Sequence, residues 1–159
     1  MLTIEVATHI RAPIARCFDL ARSIDLHVRS AAGTGEQAIA GTTRGLLGLH
    51  QEVTWRGRHF GVWQELTSRI TAYAYPDHFR DEMVRGAFRS FVHDHRFRSE
   101  LGGTTMFDVC RFAVPFWPVG WLAERLVLGA YLRRFLEGRA AVIRQTAESE
   151  EWRSYLPAA

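Results

Sequence analysis

The longest helical pattern of the chain, from about residue 119 to residue 147, most constrains the fold. Apolar side chains recur there at spacings of three and four residues and form one stripe, which Leu128, Leu132 and Phe135 widen. An amphipathic helix of this length is stable only when another layer of the protein covers its apolar side. The stripe itself consists of Leu122, Leu126, Leu136, Ala140, Ile143 and Ala147.

Most of the remaining chain alternates apolar and polar residues in the manner of β-strands. The opening stretch LTIEVATHI alternates in this way, and Pro13 ends it. Two short helices are predicted at about 14–23 and 24–33. Six further strands, separated by glycines and turn dipeptides, are predicted at roughly 35–41, 50–56, 59–73, 78–86, 90–100 and 104–114.

This order of elements predicts an α+β fold. A curved antiparallel sheet of seven strands is expected to wrap around the long C-terminal helix, with the two short helices after the first strand closing one end. Such a sheet leaves a cavity between itself and the helix. Residues 1–147 are expected to form one domain, and residues 148–159 a loosely held tail.

Composition excludes several kinds of function. All 20 basic residues are arginine, so neither a Schiff-base lysine nor a phosphate-loop lysine is available. The net charge is only +3 and the arginines are spread along the chain, so nucleic acid is not an expected partner. Two cysteines and an N-terminus without a signal-peptide pattern predict a cytoplasmic protein.

Four stretches together resemble the START and Bet v 1-like superfamily of helix-grip proteins, which includes polyketide cyclases and CoxG-like proteins. The stretches are IRAPIARCFDLARSIDLH, VTWRGRHFGVWQELTSRI, FRDEMVRGAFRSFVHDHRF and FAVPFWPVGWLAERLVLGAYLRRFL, and the likeness covers residues 1 to 147. Together, these stretches resemble the sequences of an uncharacterised bacterial branch of this superfamily. The resemblance implies a helix-grip fold, but the superfamily contains lipid carriers, receptors and enzymes, so it does not imply one function.

The last two strands carry the most informative polar residues. If Gly102 and Gly103 form a two-residue turn, one face of the hairpin combines histidines and carboxylates with apolar side chains. The predicted pairs are Phe97 with Asp108, His95 with Cys110, and His93 with Phe112. The preceding strand would place Asp81 near His93 and Met83 near Phe91.

We interpret this face as the wall of a cavity that binds a hydrophobic small molecule or lipid, because a few polar groups in an apolar concavity fix a ligand's orientation. The middle hairpin is expected to add residues at the wall or mouth. The candidate ligand-binding residues are Glu52, Trp55, Gln64, Asp81, Met83, Arg85, Phe91, His93, His95, Phe97, Met106 and Asp108, and His59 is a further candidate from the same hairpin.

Other interpretations stay open at this point. Asp81 and His93 can simply satisfy one another as a buried pair. Alternatively, a buried His/Asp pair can serve as the acid–base group of an enzyme like the polyketide cyclases and dehydratases. Two imidazoles on one strand face and a carboxylate can also present three metal ligands. Because His-x-His on one strand is a weak pattern, however, the sequence predicts no metal and no cofactor. The pattern leaves both catalysis and oligomeric state undetermined.

Two features of the last helix complete the expectations. Phe116, Trp117 and Trp121 are candidates for contact with a membrane surface, although closing one end of the cavity is the simpler interpretation. The arginines of that helix are expected to form a solvated face. They are Arg133, Arg134 and Arg139.

Overall fold

The structure is a computed structural model that describes residues 1–114 and 121–156, with residues 121–126 described by their main chain alone. The helices are α1 (Ile14–Ala21), α2 (Ile24–Ser30) and α3 (Trp121–Glu148). The strands are β1 (Leu2–Ile10), β2 (Gln37–Gly41), β3 (Glu52–His59), β4 (Val62–Ala74), β5 (His78–Arg85), β6 (Ser90–Glu100) and β7 (Gly103–Ala113). Short 3-10 helices lie at Ala32–Thr34 and Glu150–Ser154.

The seven strands form one antiparallel sheet in the order β1-β7-β6-β5-β4-β3-β2, and α3 packs across it. This architecture confirms the predicted α+β helix-grip fold. The stripe of α3 is buried at every position whose side chain is described, namely Leu136, Ala140, Ile143 and Ala147. Its burial supplies the cover that an amphipathic helix of this length requires.

The short helices close one end of the sheet with a second group of apolar side chains. Ser23 caps α2 by accepting a hydrogen bond from the main-chain N–H of Leu26. Phe18 of α1 is fully buried, and its ring packs 5.3 Å from those of Tyr73 and Phe79 and 5.4 Å from that of Phe97. This end of the molecule is therefore a filled aromatic core.

The hairpin between β6 and β7 differs from its predicted register by two residues. Glu100 pairs with Gly103, so Leu101 and Gly102 form the turn. Gly103 begins β7 where a side chain would collide with the main-chain oxygen of Ile10, which explains the second glycine. The observed pairs are Phe97 with Met106, His95 with Asp108, and His93 with Cys110.

A shift of two residues keeps every side chain on its predicted face. His93, His95 and Asp108 therefore point inward, and all three are buried. The predicted pairing of Asp81 with His93 across β5 and β6 is confirmed.

A group of charged side chains joins three strands on the opposite face of the sheet. Asp94 of β6 is 0% exposed and accepts hydrogen bonds of 2.8 Å from Nε2 of His78 and from Nε of Arg80, both on β5. Arg111 of β7 donates to the other carboxylate oxygen. Burial opposes the charge, yet the hydrogen bonds from Arg80 and His78 lower the pKa of Asp94 to about 2. We call these four residues the outer cluster.

The C-terminal segment is packed, whereas the sequence predicted a loose tail. Trp152, Tyr155 and Leu156 contact the core, and the guanidinium of Arg16 lies 4.3 Å from the centre of the Trp152 ring. Arg29 of α2 donates a 3.0 Å hydrogen bond to the Tyr155 hydroxyl. These aromatic contacts hold the segment against α1 and α2.

The proposed contact of Phe116, Trp117 and Trp121 with a membrane surface falls outside the described residues, as does the suggestion that they close the cavity. Within 1–114 and 121–156, no helix is both long enough and apolar enough to cross a bilayer.

Candidate functional site

A cavity of about 130 Å³ lies between the inner face of β3–β6 and the middle of α3. Most of its wall is apolar, and several aromatic rings from both layers line it. The rings belong to Trp55, Phe60, Phe88, Phe91, Tyr131 and Phe135. A concave apolar wall of this kind provides affinity for an apolar ligand.

Gly57 on β3 helps to make this space. It lies on the inner face between Trp55 and His59, where a side chain would lie 3.1 Å from His59 Nε2 and 3.3 Å from a carboxylate oxygen of Glu36. Glycine thus lets these two polar groups approach the β3 main chain, and it leaves their polar ends at the cavity wall.

One polar group lies at the floor of the cavity. It consists of Asp81, His93, His95 and Asp108, and we call it the inner cluster. Oδ2 of Asp81 lies 3.1 Å from Nε2 of His95 and 3.9 Å from Nδ1 of His93. Oδ1 of Asp108 lies 2.7 Å from Nδ1 of His95 and 3.2 Å from Nε2 of His93. The two imidazoles, whose ring centres are 3.8 Å apart, therefore lie between two carboxylates.

The contacts on the two sides of these rings differ in quality. His95 forms a well-directed hydrogen bond with Asp81. The contacts with Asp108 are close but poorly directed, so Nε2 of His93 and Nδ1 of His95 are buried without a hydrogen-bond partner among the described residues. Buried polar atoms of this kind are uncommon in proteins and call for an explanation.

Burial and electrostatics assign different charges to the two histidines. Burial lowers the pKa of His93, and the neighbouring His95 lowers it further. Burial also lowers the pKa of His95, but the carboxylates of Asp108 and Asp81 outweigh this and raise it above its ordinary value. Burial raises the pKa values of Asp81 and Asp108, yet the imidazoles hold both below the ordinary value. The surroundings thus favour the neutral form of His93 and the protonated form of His95.

A second polar group, built around Glu36, lines the cavity beside β3, two strands from β5 in the same sheet. His27 of α2 is hydrogen-bonded through Nε2 to Oε1 of Glu36, and Nε2 of His59 lies 3.6 Å from Oε2. A hydrogen bond of 2.6 Å joins Nδ1 of His59 to the hydroxyl of Tyr131 on α3. Burial raises the pKa of Glu36, but the hydrogen bond with His27 and the nearby His59 lower it to about 2. Glu36 therefore stays ionised although it is buried.

Arg139 of α3 completes the site and corrects its predicted position on a solvated face. Its side chain is half-buried and lines the cavity together with Asp81 and His93. Its Nε is buried without a hydrogen-bond partner among the described residues. Helical periodicity places Arg139 beside Leu136 and Ala140 on the edge of the buried stripe, and this position was the signal in the sequence.

Five of the predicted residues line the cavity: Trp55, Gln64, Asp81, Phe91 and His93. His95 instead borders a smaller neighbouring cavity of about 40 Å³, which Asp81 and Arg139 also line. Asp108 lies behind the two imidazoles. The structure thus brings together four of the five polar residues that the sequence analysis selected from β5, β6 and β7, all except Arg85.

The other predicted residues lie elsewhere, for identifiable reasons. Phe97 and Met106 belong to the aromatic core under α1, because the inner face of β6 and β7 extends beyond the cavity. Met83 is half-buried next to Gly86 in the following turn, outside the cavity lining. Glu52 and Arg85 point to the outer face, where Glu52 pairs with Arg69 and Arg85 lies 3.9 Å from Glu65.

The position of Arg85 follows from a β-bulge. Ser68 pairs with Met83, but Thr67 pairs with Arg85, so Val84 is an extra residue in β5. The extra residue reverses the alternation of side chains beyond Met83. Arg85 therefore shares the outer face with Thr67, where simple alternation along β5 would have turned it inward.

Sequence reasoning missed Glu36, His27 and Tyr131 as cavity residues. They come from the loop before β2, from α2 and from α3, and no local spacing connects them. Glu36 stood at the start of the strand predicted at 35–41, whereas the structure begins β2 at Gln37, and this position gave only a weak signal. His59 was a candidate, and it does line the cavity.

Comparisons with known proteins identify the fold. No family model matches the sequence, and no curated protein matches it. Among solved structures, the protein TTHA0849 from Thermus thermophilus is similar with a TM-score of 0.72 and 16% identity, over 93% of this chain and 100% of that one. The protein Ms6760 from Mycobacterium smegmatis is similar with a TM-score of 0.65 and 18% identity, over 91% and 89% of the two chains.

A plant protein extends the likeness. The ginseng major latex-like protein 151 from Panax ginseng, a Bet v 1-like protein, matches with a TM-score of 0.64 and 14% identity, over 93% of this chain and 98% of that one. Identities this low reflect shared architecture. The seven-stranded sheet, the paired short helices and the long C-terminal helix therefore give this chain the Bet v 1-like helix-grip fold.

Proposed function

We propose that this protein binds a small hydrophobic molecule in the cavity between the sheet and α3. The observation that carries the proposal is the cavity itself, about 130 Å³ in volume and lined mainly by aromatic and aliphatic side chains. An apolar protein cavity of about 150 Å³ accommodates a benzene-sized molecule. The enclosed part of the ligand is therefore about the size of a single ring or a short branched chain.

The polar groups on the wall support a ligand with hydrogen-bonding substituents. Glu36 and His59 line the cavity beside β3, Asp81 and His93 line it on β5 and β6, and Arg139 lines it from α3. Separate polar groups in an apolar wall orient a ligand and discriminate between related molecules. A molecule with two separated polar atoms matches this arrangement better than an unsubstituted hydrocarbon.

The test combines native mass spectrometry of the purified protein with isothermal titration of a single-ring probe such as 4-methoxyphenol. Leu66→Trp adds a large side chain on the inner face of β4, where Leu66 lines the cavity. We expect this variant to weaken probe binding at least about 10-fold, because it removes much of the free volume.

Leu101→Trp is the matched control, since it adds the same ring at a fully exposed hairpin position. Its affinity for the probe should equal that of the unmodified protein. The proposal fails if the unmodified protein neither carries an apolar molecule nor binds the probe, or if both tryptophan variants bind it equally well while circular dichroism shows both folded.

A further inference from the structure

We propose that Asp81, His93 and His95 bind one divalent transition-metal ion, for which Zn²⁺ is the probe, and that Asp108 orients the two imidazoles from behind. The inference does not depend on the organic ligand proposed above. It rests on the geometry and charge of the inner cluster and on its position at the cavity floor.

The first argument is the position of the donor atoms. One donor atom from each of Asp81, His93 and His95 lies within 4.8 Å of the other two. The Asp81 oxygen is 3.1 Å from Nε2 of His95 and 3.9 Å from Nδ1 of His93. Ligands about 2.0–2.1 Å from a tetrahedral zinc ion are separated by about 3.4 Å. An ion therefore fits between these three side chains after rotations that move the donor atoms by less than about 1 Å.

The second argument is the carboxylate behind the rings. Asp108 contacts the ring nitrogen of each histidine that faces away from Asp81, at 2.7 Å for His95 and 3.2 Å for His93. Metal-binding histidines usually donate the N–H of their second nitrogen to a carboxylate, which fixes the ring and raises its basicity. Here one carboxylate serves both rings. The same two nitrogens lack a well-directed partner among the described residues, and a small ring rotation on metal binding would align them with Asp108.

The third argument is charge. The inner cluster places two carboxylates, Asp81 and Asp108, against two imidazoles in a buried site. Arg139 lines the cavity near Asp81, but Glu36 also lines that cavity. A divalent cation bound by two imidazoles balances the two carboxylates, which a buried site favours.

The site is also accessible. Asp81 and His93 line the main cavity, and His95 and Asp81 border the smaller one beside it. An ion held by three protein ligands at this position keeps an open coordination position toward the cavity, as catalytic and ligand-binding zinc sites do. Imidazole and carboxylate ligands together favour Zn²⁺ or Fe²⁺ over Mg²⁺ and Ca²⁺.

The sequence analysis predicted no metal because His-x-His on one strand is a weak pattern. The third ligand comes from β5 and the orienting carboxylate from β7, and both were predicted to lie near the histidines. The two-residue difference in register placed Asp108 opposite His95 itself, where it contacts both rings.

The test begins with chelator-treated protein and measures uptake of Zn²⁺ by isothermal titration and elemental analysis, without any organic ligand. We expect one ion per chain with a micromolar or lower Kd. Asp81→Asn should weaken Zn²⁺ binding at least about 100-fold, because it alters a ligand. Asp108→Asn should weaken it about 10- to 100-fold, because Asp108 acts through the imidazoles that it orients. His9→Gln is the matched control, since it alters an exposed His–Glu pair on β1, outside both clusters, and should leave the affinity unchanged.

Cobalt spectroscopy of the unmodified protein gives a readout that does not depend on the folding of any variant. Co²⁺ in the inner cluster should show the intense visible absorption of four- or five-coordinate cobalt, and Zn²⁺ should displace it. Absence of that absorption, or Zn²⁺ affinity that survives in a folded Asp81→Asn variant, overturns the proposal. A probe titration with chelator present tests the organic ligand separately, so that failure of one proposal is distinguishable from failure of the other.

Discussion

The outer cluster and the inner cluster combine similar side chains on opposite faces of the same strands. On the outer face, one carboxylate, Asp94, accepts hydrogen bonds from His78, Arg80 and Arg111. On the inner face, two carboxylates share two imidazoles, and two ring nitrogens have no well-directed partner among the described residues. The outer cluster is complete without any further component, whereas the inner cluster has unused bonding capacity.

This difference separates a structural role from a binding role. A buried carboxylate whose donors all come from neighbouring strands stabilises the sheet and has nothing left to offer a ligand. Surplus negative charge beside a cavity lowers stability unless something is bound there. Such local conflict with stability is typical of functional sites. Burial alone does not reveal it, because Asp94, His93 and His95 are all buried.

The largest expected effect comes from the outer cluster. Asp94→Ala should lower the free energy of unfolding by about 3 kcal/mol, because Arg80 and Arg111 lose their shared acceptor and repel one another. Both arginines are about one-third exposed and can be partly rehydrated, which keeps the value at the low end for a buried ion pair. Urea denaturation at neutral pH measures the change.

Glu82→Ala is the control for that substitution. Glu82 lies on β5, where its carboxylate is 3.8 Å from Arg80, but it is well exposed, so its loss should cost less than about 0.5 kcal/mol. Equal effects of the two substitutions would show that the outer cluster is an ordinary surface ion pair, and the contrast with the inner cluster would then disappear.

Glu36 is a further case for this comparison. It lines the cavity, as the inner cluster does, but its carboxylate has a hydrogen-bond partner, as Asp94 of the outer cluster has. Its pKa is about 2 in the folded protein and 4.5 in an unfolded chain, so its contribution to stability is complete above pH 4.5 and is lost as the pH falls toward 2. Between pH 7 and pH 3 the protein should lose about 2 kcal/mol through this group.

The groups that face Glu36 are His27 of α2, His59 of β3 and Arg139 of α3, so the measurement compares the unmodified protein with Glu36→Gln, which keeps these three. Urea denaturation at pH 7 and pH 3 should give a smaller pH dependence for the variant, by about 2 kcal/mol. An identical pH dependence of stability in the two proteins would mean that the neighbours of Glu36 do not lower its pKa.

The smallest effect is expected from the inner cluster. Asp81→Asn should change the free energy of unfolding by less than about 1 kcal/mol in metal-free protein, because it removes surplus negative charge and retains an acceptor for His95. Chemical denaturation with a chelator present measures this. A loss as large as that of Asp94→Ala would identify the inner cluster as structural, which is the buried-pair interpretation of the sequence.

The sequence predicted the fold and the directions of the key side chains because both depend on periodicity. Alternation along β6 and β7 assigned His93, His95 and Asp108 to one face, and that assignment survived a turn placed one residue too late. An error in turn position shifts the register by two residues, which changes partners without changing faces.

The sequence did not predict features that depend on irregularity or on distant segments. The extra residue Val84 reverses the side of Arg85, and no pattern in β5 distinguishes this bulge from regular alternation. His27 and Tyr131 join the group around Glu36 only because α2 and α3 each bring a side chain to β3, His27 against Trp55 and Tyr131 against His59. Arg139 was predicted to lie on a solvated face because it is charged. Its place at the edge of the buried stripe was compatible with either a solvated or a half-buried side chain.

The alternation of His93, Asp94 and His95 gives the outer cluster an indirect part in ligand chemistry. Asp94 ties β6 to both neighbouring strands, which carry Asp81 and Asp108 on their other side. The ion pairs of the outer cluster thus help to set the spacing of the donor atoms on the inner face. Substitutions in the helix and loops around the cavity can therefore change which ligand is bound. Substitutions in the outer cluster of β5, β6 and β7 would instead disturb the positions of the donor atoms.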